Sequence, residues 1–105
     1  MGLRSRLVIP NLPHHVVHRG QHRHAVFETD ADRRAYLSTL AEFREVLSIK
    51  VYAWCLMTNH VHLVVDPGGA KSSIALLMKR LAGRHTRRLN RLHDDGQRRL
   101  DDAGE

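Results

Sequence analysis

The 105 residues predict an α+β sandwich of antiparallel sheet and helices, and three observations carry that prediction. Apolar residues alternate with a period of two in three short segments, and recur at helical spacing in two longer ones. Two of the short segments are joined by Thr58-Asn59 alone, a connection too short for anything but an antiparallel hairpin.

The first strand is His14-His15-Val16-Val17-His18-Arg19, entered after Pro10 and Pro13 and closed by Gly20. A polar loop follows from Gln21 to about Glu28. Thr29-Asp30-Ala31-Asp32 resembles a capping box with an acidic first turn, and opens a helix whose Tyr36, Leu37, Leu40, Phe43 and Leu47 form one apolar stripe. Ile49 to Met57 reads as a second strand with Ile49, Val51, Ala53, Cys55 and Met57 on one face. Tyr52, Trp54 and Leu56 fall on the other, so a central position is expected, with Cys55 and Trp54 packed. His60 to Asp66 is the third strand, ended by Pro67-Gly68-Gly69.

Ser72 opens a second helix that is expected to run to about Leu92, with Ile74, Leu77, Met78, Leu81, Leu89 and Leu92 along its apolar stripe. Strand–helix–strand–strand–helix is the order of the ferredoxin-like class, which normally closes with a fourth strand. None is legible, because residues 93–105 hold one Leu and one Ala. The expectation is a domain over 1–93, cut short of its last strand, and a charged, frayed tail over 94–105.

Charge narrows the function. Residues 1–93 hold 15 Lys+Arg against 6 acids, whereas 94–105 hold 2 Arg against 5 acids. Fourteen of the 17 cations are Arg, whose planar fork suits phosphate, so nucleic acid is the first partner to consider. Residues 71–93 contain seven cations and no acid. Arg80, Arg84, Arg87 and Arg91 share a narrow stripe without stabilising acidic neighbours along the helix, as expected of a phosphate-binding face. One Cys excludes an internal disulfide framework and fits a reducing, cytoplasmic compartment. No apolar run approaches the roughly 20 residues of a membrane span, and the stretch around Leu7-Val8-Ile9 is too short for a signal peptide.

The chemistry concentrates in Asn59-His60-Val61-His62-Leu63-Val64-Val65. Residues two apart in a strand face the same way, so His60 and His62 project together and could share a divalent metal, with a third group or a substrate phosphate completing the shell. The pattern His-x-His alone is weak, and ordinary surface histidines are the alternative.

Cys55-Leu56-Met57-Thr58-Asn59-His60-Val61-His62-Leu63-Val64-Val65 resembles the motif of single-tyrosine HUH transposases, the REP-associated tyrosine transposases especially. Pro10 to Gly20 is similar to that family's first strand. Val26-Phe27 and Asp32-Arg33-Arg34-Ala35-Tyr36-Leu37 are similar to the lead into its first helix, so the resemblance covers about residues 4–92. It implies a transposase-like HUH domain that cuts and rejoins single-stranded DNA beside hairpins. His60 and His62 would hold Mg²⁺ or Mn²⁺ on the scissile phosphate while a helix tyrosine attacks. It also places His15 where it would support the pair from the neighbouring strand.

The chain departs from the family where the resemblance puts the nucleophile. Against an expected Tyr-x-x-(Tyr/Phe)-(Phe/Leu)-Asn it reads His85-Thr86-Arg87-Arg88-Leu89-Asn90, with His85 at the tyrosine position. The only tyrosines, Tyr36 and Tyr52, lie elsewhere, so impaired catalysis is expected. His85 falls in the apolar stripe and has three readings: a core-edge histidine bonded to backbone (the favoured one), a third metal ligand, or a substitute nucleophile. Arg19, Arg80, Arg84, Arg87, Arg88, Asn90 and Arg91 are the expected DNA contacts. An open sheet edge would allow a homodimer. The competing functions are a non-catalytic nucleic-acid-binding module and a His-rich metal-binding protein.

Overall fold

A computed structural model of the protein describes residues 7–20 and 25–103, with side chains up to residue 94. Arg4 and Arg6, weaker candidates for nucleic-acid contact by sequence, and His22 and His24, read as loop or surface histidines, lie outside the described residues. The elements are β1 (His14–Arg19), α1 (Asp30–Val46), β2 (Lys50–Leu56), β3 (His60–Asp66) and α2 (Ser73–Ala103), in the expected order. The fold is α+β, with two helices on a three-stranded antiparallel sheet of order β1-β3-β2.

α1 begins where its capping chemistry says it should. Thr29 is extended, its hydroxyl accepts from Asp32 N–H, and the Asp32 carboxylate accepts from the backbone N–H groups of Thr29 and Glu28 at 3.0 and 2.8 Å. Three of the orphan donors around the helix start are thereby satisfied. Beyond β3, Gly68 turns the chain at φ +67°, where a Cβ would come 3.0 Å from the Ser48 carbonyl oxygen.

β3, not β2, is the central strand, which corrects the sequence expectation. The register shifts between Val51 and Ala53, so Val51 lies opposite Val65 while Ala53 lies opposite Val64. One extra residue, Tyr52, reverses the phase of everything after it. Val51, Trp54 and Leu56 therefore share the face of Val65, Leu63 and Val61, and Ala53 and Cys55 share the other. On an edge strand that apolar character stays partly in water: Tyr52 and Trp54 are each 55% exposed, and Cys55 is exposed rather than packed.

The core lies on one face of the sheet only. Val16, Val61, Leu63 and Val65 meet Tyr36 and Leu40 of α1 and Ile74, Leu77, Met78 and Leu81 of α2, with Val26, Phe27 and Ile49 closing the ends. The opposite face carries no helix among the described residues.

α2 starts at Ser73 and runs to Ala103, eleven residues past the predicted end. Its apolar stripe stops packing sooner than predicted, since Leu89 is half-buried and Leu92 is 46% exposed. Residues 93–103 contain no Pro, and a single Gly at 96 is tolerated inside a helix at a cost of roughly 1 kcal/mol. No break in the helix marks position 93. The described residues contain no fourth strand. They also contain no helix long and apolar enough to cross a membrane.

Candidate functional site

The alternation of β3 sorts its side chains between two environments. Val61, Leu63 and Val65 are fully buried under the helices, so His60 and His62 stand on the open face. Their rings meet edge to face with centroids 4.7 Å apart. His15, from β1, lies edge to edge with His62, the rings nearly parallel with centroids 5.0 Å apart, and a 2.8 Å hydrogen bond joins His15 Nε2 to His62 Nδ1. Asn59 Oδ1 lies 2.6 Å from His60 Nδ1. Arg19 is the cross-strand partner of His60, and Cys55 that of His62.

Electrostatics favour the neutral form of His62, the form that can ligate a metal. Desolvation, then the neighbouring His60, His15 and Arg19, lower the pKa of His62 below its ordinary value. The donor chemistry fits a divalent cation in part. Two imidazoles converge, while no group of three His, Cys, Asp or Glu among the described residues could enclose an ion. Oxygen ligands from water or phosphate would have to supply the rest.

The structure does not bring His85 to this pair. His85 is buried on the helix side of the sheet, packed against Phe27 and Tyr36, and its Nε2–H donates to the Val26 carbonyl at 2.5 Å. That is the backbone-bonded histidine of the favoured sequence reading. His18 lies on the same side, its Nδ1 3.3 Å from the Tyr36 hydroxyl. His18 and His85 border a cavity of about 280 Å³ between the end of β1 and α2, reached also by Arg19, Thr86, Asn90 and His93.

Burial, with the positive field of His85 second, holds the pKa of His18 down at about 4. The folded state therefore resists a proton that the unfolded chain accepts below its ordinary pKa of 6.5. Full stability is present above pH 6.5 and is lost as pH falls toward 4. Urea denaturation should show about 2 kcal/mol less stability at pH 5 than at pH 7 from this residue, and His18→Gln should remove most of the difference. A loss that is the same in His18→Gln would assign the effect elsewhere.

Two arginines of α2 have acidic partners, which corrects the reading of an unpaired stripe at one of its four members, Arg84. Arg84 bonds Glu42 at 2.6 Å and lies over the Phe43 ring at 4.5 Å, and Arg80 lies over the same ring at 5.9 Å. Arg88 pairs with Asp32. Both acids come from α1, so inspection along α2 alone could not find them. Arg87, Asn90 and Arg91 are exposed, with Arg91 at the cleft between the helices. The basic surface of α2 thus belongs to the helix layer, and of the predicted DNA contacts only Arg19 stands beside His60.

Neither tyrosine stands beside the pair. Tyr36 is in the core, where burial pushes its pKa above the usual phenol range. The Tyr52 hydroxyl is 3.5 Å from Asp66, four residues along β3 from His62 and hence roughly 13 Å away by strand rise. Sequence reasoning assigned Asn59 to the turn and missed its contact with His60. The clue was its position immediately before the histidine pair.

These features define an α+β sandwich with a helix-covered core face and an open sheet face bearing paired histidines. The chain matches the family model described as "Transposase IS200 like" over residues 8–103, and it belongs to that family. The match continues past Leu92 along the rest of α2. No curated protein and no solved structure matches the chain. Membership implies a transposase-like function with DNA as the partner.

Proposed function

We propose that this chain binds single-stranded or hairpin DNA across the open face of its sheet, with His60 and His62 holding a divalent cation against a backbone phosphate. The observation that carries this reading is the pair itself, two imidazoles 4.7 Å apart on one face with both Nδ1 atoms engaged and Arg19 alongside. A cation held there would polarise a phosphate oxygen. Arg19 would contact the same strand, and the exposed Arg87 and Arg91 would take backbone phosphates on the helix layer. The two β-strands with open edges, β1 and β2, support pairing of two copies as a homodimer.

Within this reading the chain binds DNA without forming a phosphotyrosine, because no described tyrosine hydroxyl reaches the histidine pair. A nucleophilic His85 would have to act from the buried side of the sheet with its Nε2–H committed to Val26. The test is incubation of end-labelled hairpin DNA with the protein and Mn²⁺. The expected result is salt-sensitive binding, with a shallower salt dependence in Arg19→Ala, a dimer by light scattering of the complex, and no adduct surviving denaturation. A denaturation-resistant adduct would overturn the non-cleaving reading. Binding that ignores both salt and Arg19→Ala would overturn the DNA interface.

A further inference from the structure

The hydrogen bonds behind the histidine pair decide more than ring orientation. A neutral imidazole carries its proton on one nitrogen only, and a metal needs the lone pair of the other. At His60 the Nδ1 atom faces Asn59 Oδ1 at 2.6 Å, and a carbonyl oxygen can only accept. The proton must therefore sit on Nδ1, leaving the Nε2 lone pair toward the open face. At His62 the Nδ1 atom faces another imidazole nitrogen, His15 Nε2, at 2.8 Å. Donation from His62 to His15 produces the same tautomer as at His60, whereas the reverse direction would block His62 Nε2 with a proton. The two rings are nearly parallel, 7° between planes, with centroids 5.0 Å apart, which sets them edge to edge as an in-plane bond between ring nitrogens requires.

We propose that Asn59 and His15 are positioning residues, which hold His60 and His62 in the Nδ1–H form so that both Nε2 lone pairs stand open on the sheet face. The inference rests on the metal reading given above, but its structural half does not need a metal. The two supports reach the pair from different elements. Asn59 comes from the β2–β3 turn and His15 from β1, across a sheet whose register fixes both. Partners of this kind are worth about 10- to 100-fold in metal affinity where they have been removed from other sites.

The experiment has two arms on the same full-length variants. In the metal-free protein at pH 8, long-range nitrogen–proton NMR of the imidazoles reads the tautomers directly. Wild type should show the Nδ1–H form at His60 and His62. His15→Ala should move His62 toward Nε2–H, and Asn59→Ala should do the same at His60. His15→Gln and Asn59→Asp each present an oxygen acceptor and should restore the wild-type form. Both positions are exposed, and an unchanged thermal unfolding profile confirms that the variants fold.

In the second arm, Mn²⁺ titration should give dissociation constants raised about 10- to 100-fold in the two alanine variants and recovered in His15→Gln and Asn59→Asp. Tautomers that do not change in the alanine variants would overturn the positioning role whatever the metal does. Expected tautomers together with no Mn²⁺ binding by wild type would overturn the metal reading and leave the positioning role standing. Direct coordination of a His15 nitrogen in the wild-type Mn²⁺ complex would overturn its role as a positioning residue.

Discussion

Arg88→Ala should destabilise the protein by about 3 kcal/mol, which lowers Tm by roughly 10–20 °C in a domain of this size. The side chain of Asp32 is 3% exposed and that of Arg88 25% exposed, so the ion pair is largely screened from water. Burial alone would raise the pKa of Asp32, yet the Arg88 hydrogen bond, with the Glu28 and Thr29 N–H groups, holds it at about 2. Removing Arg88 leaves a buried carboxylate with only its two backbone bonds, which places the loss at the lower end of the range for broken buried pairs. The same carboxylate caps α1, so the arginine locks α2 onto the start of the other helix.

The pH dependence of this pair follows from the depressed pKa. Its stabilisation is complete above 3.8, the ordinary value for Asp32, and is lost as pH falls toward 2. Arg88→Ala should move that loss to higher pH. Arg88 was expected from the sequence to contact DNA. On this account its substitution lowers Tm far more than it weakens DNA binding, and a Tm within 3 °C of wild type would contradict the account.

Substituting the histidine pair should have the opposite profile, a large functional loss with little change in stability. His60 and His62 are half-buried on a face that no described helix covers, so His60→Ala and His62→Ala should shift stability by no more than about 0.5 kcal/mol each. Mn²⁺ affinity should fall in each by more than the roughly 100-fold upper range for a lost supporting hydrogen bond, because a donor atom itself disappears. The double variant should bind no Mn²⁺ measurable by isothermal titration. Its DNA binding should lose its dependence on added Mn²⁺ while retaining the salt-sensitive part supplied by arginine. Double-variant binding equal to wild type would place the metal elsewhere.

What the sequence made legible was local. Thr29 and Asp32 are three residues apart, and the capping box they form depends on nothing else in the chain. The shared face of His60 and His62 follows from strand geometry alone. The burial of His85 followed in the same way from its helical angle, although the angle could not say which face of the sheet it would lie beneath.

The errors came where distant segments decide. β2 carries apolar residues on both faces and so resembles a central strand, but strand order is set by pairing, and β3 takes the middle. The extra residue at Tyr52 then reverses the phase of the alternation, which misplaced Cys55 and Trp54. The acidic partners of Arg84 and Arg88 lie 42 and 56 residues away in sequence, beyond any rule based on neighbours within one helix. The hydrogen bond between His15 and His62 spans 47 residues and required the register of β1 against β3.

The central claim is that His60 and His62 together supply the metal donors on the open sheet face. Pulsed electron paramagnetic resonance of Mn²⁺ bound to protein carrying ¹⁵N-labelled histidine reads those donors directly. The account predicts two coupled ring nitrogens in wild type, one in His60→Ala or His62→Ala at saturating Mn²⁺, and none in the double variant. Bound Mn²⁺ without ¹⁵N coupling in wild type, or coupling that persists in the double variant, would contradict it.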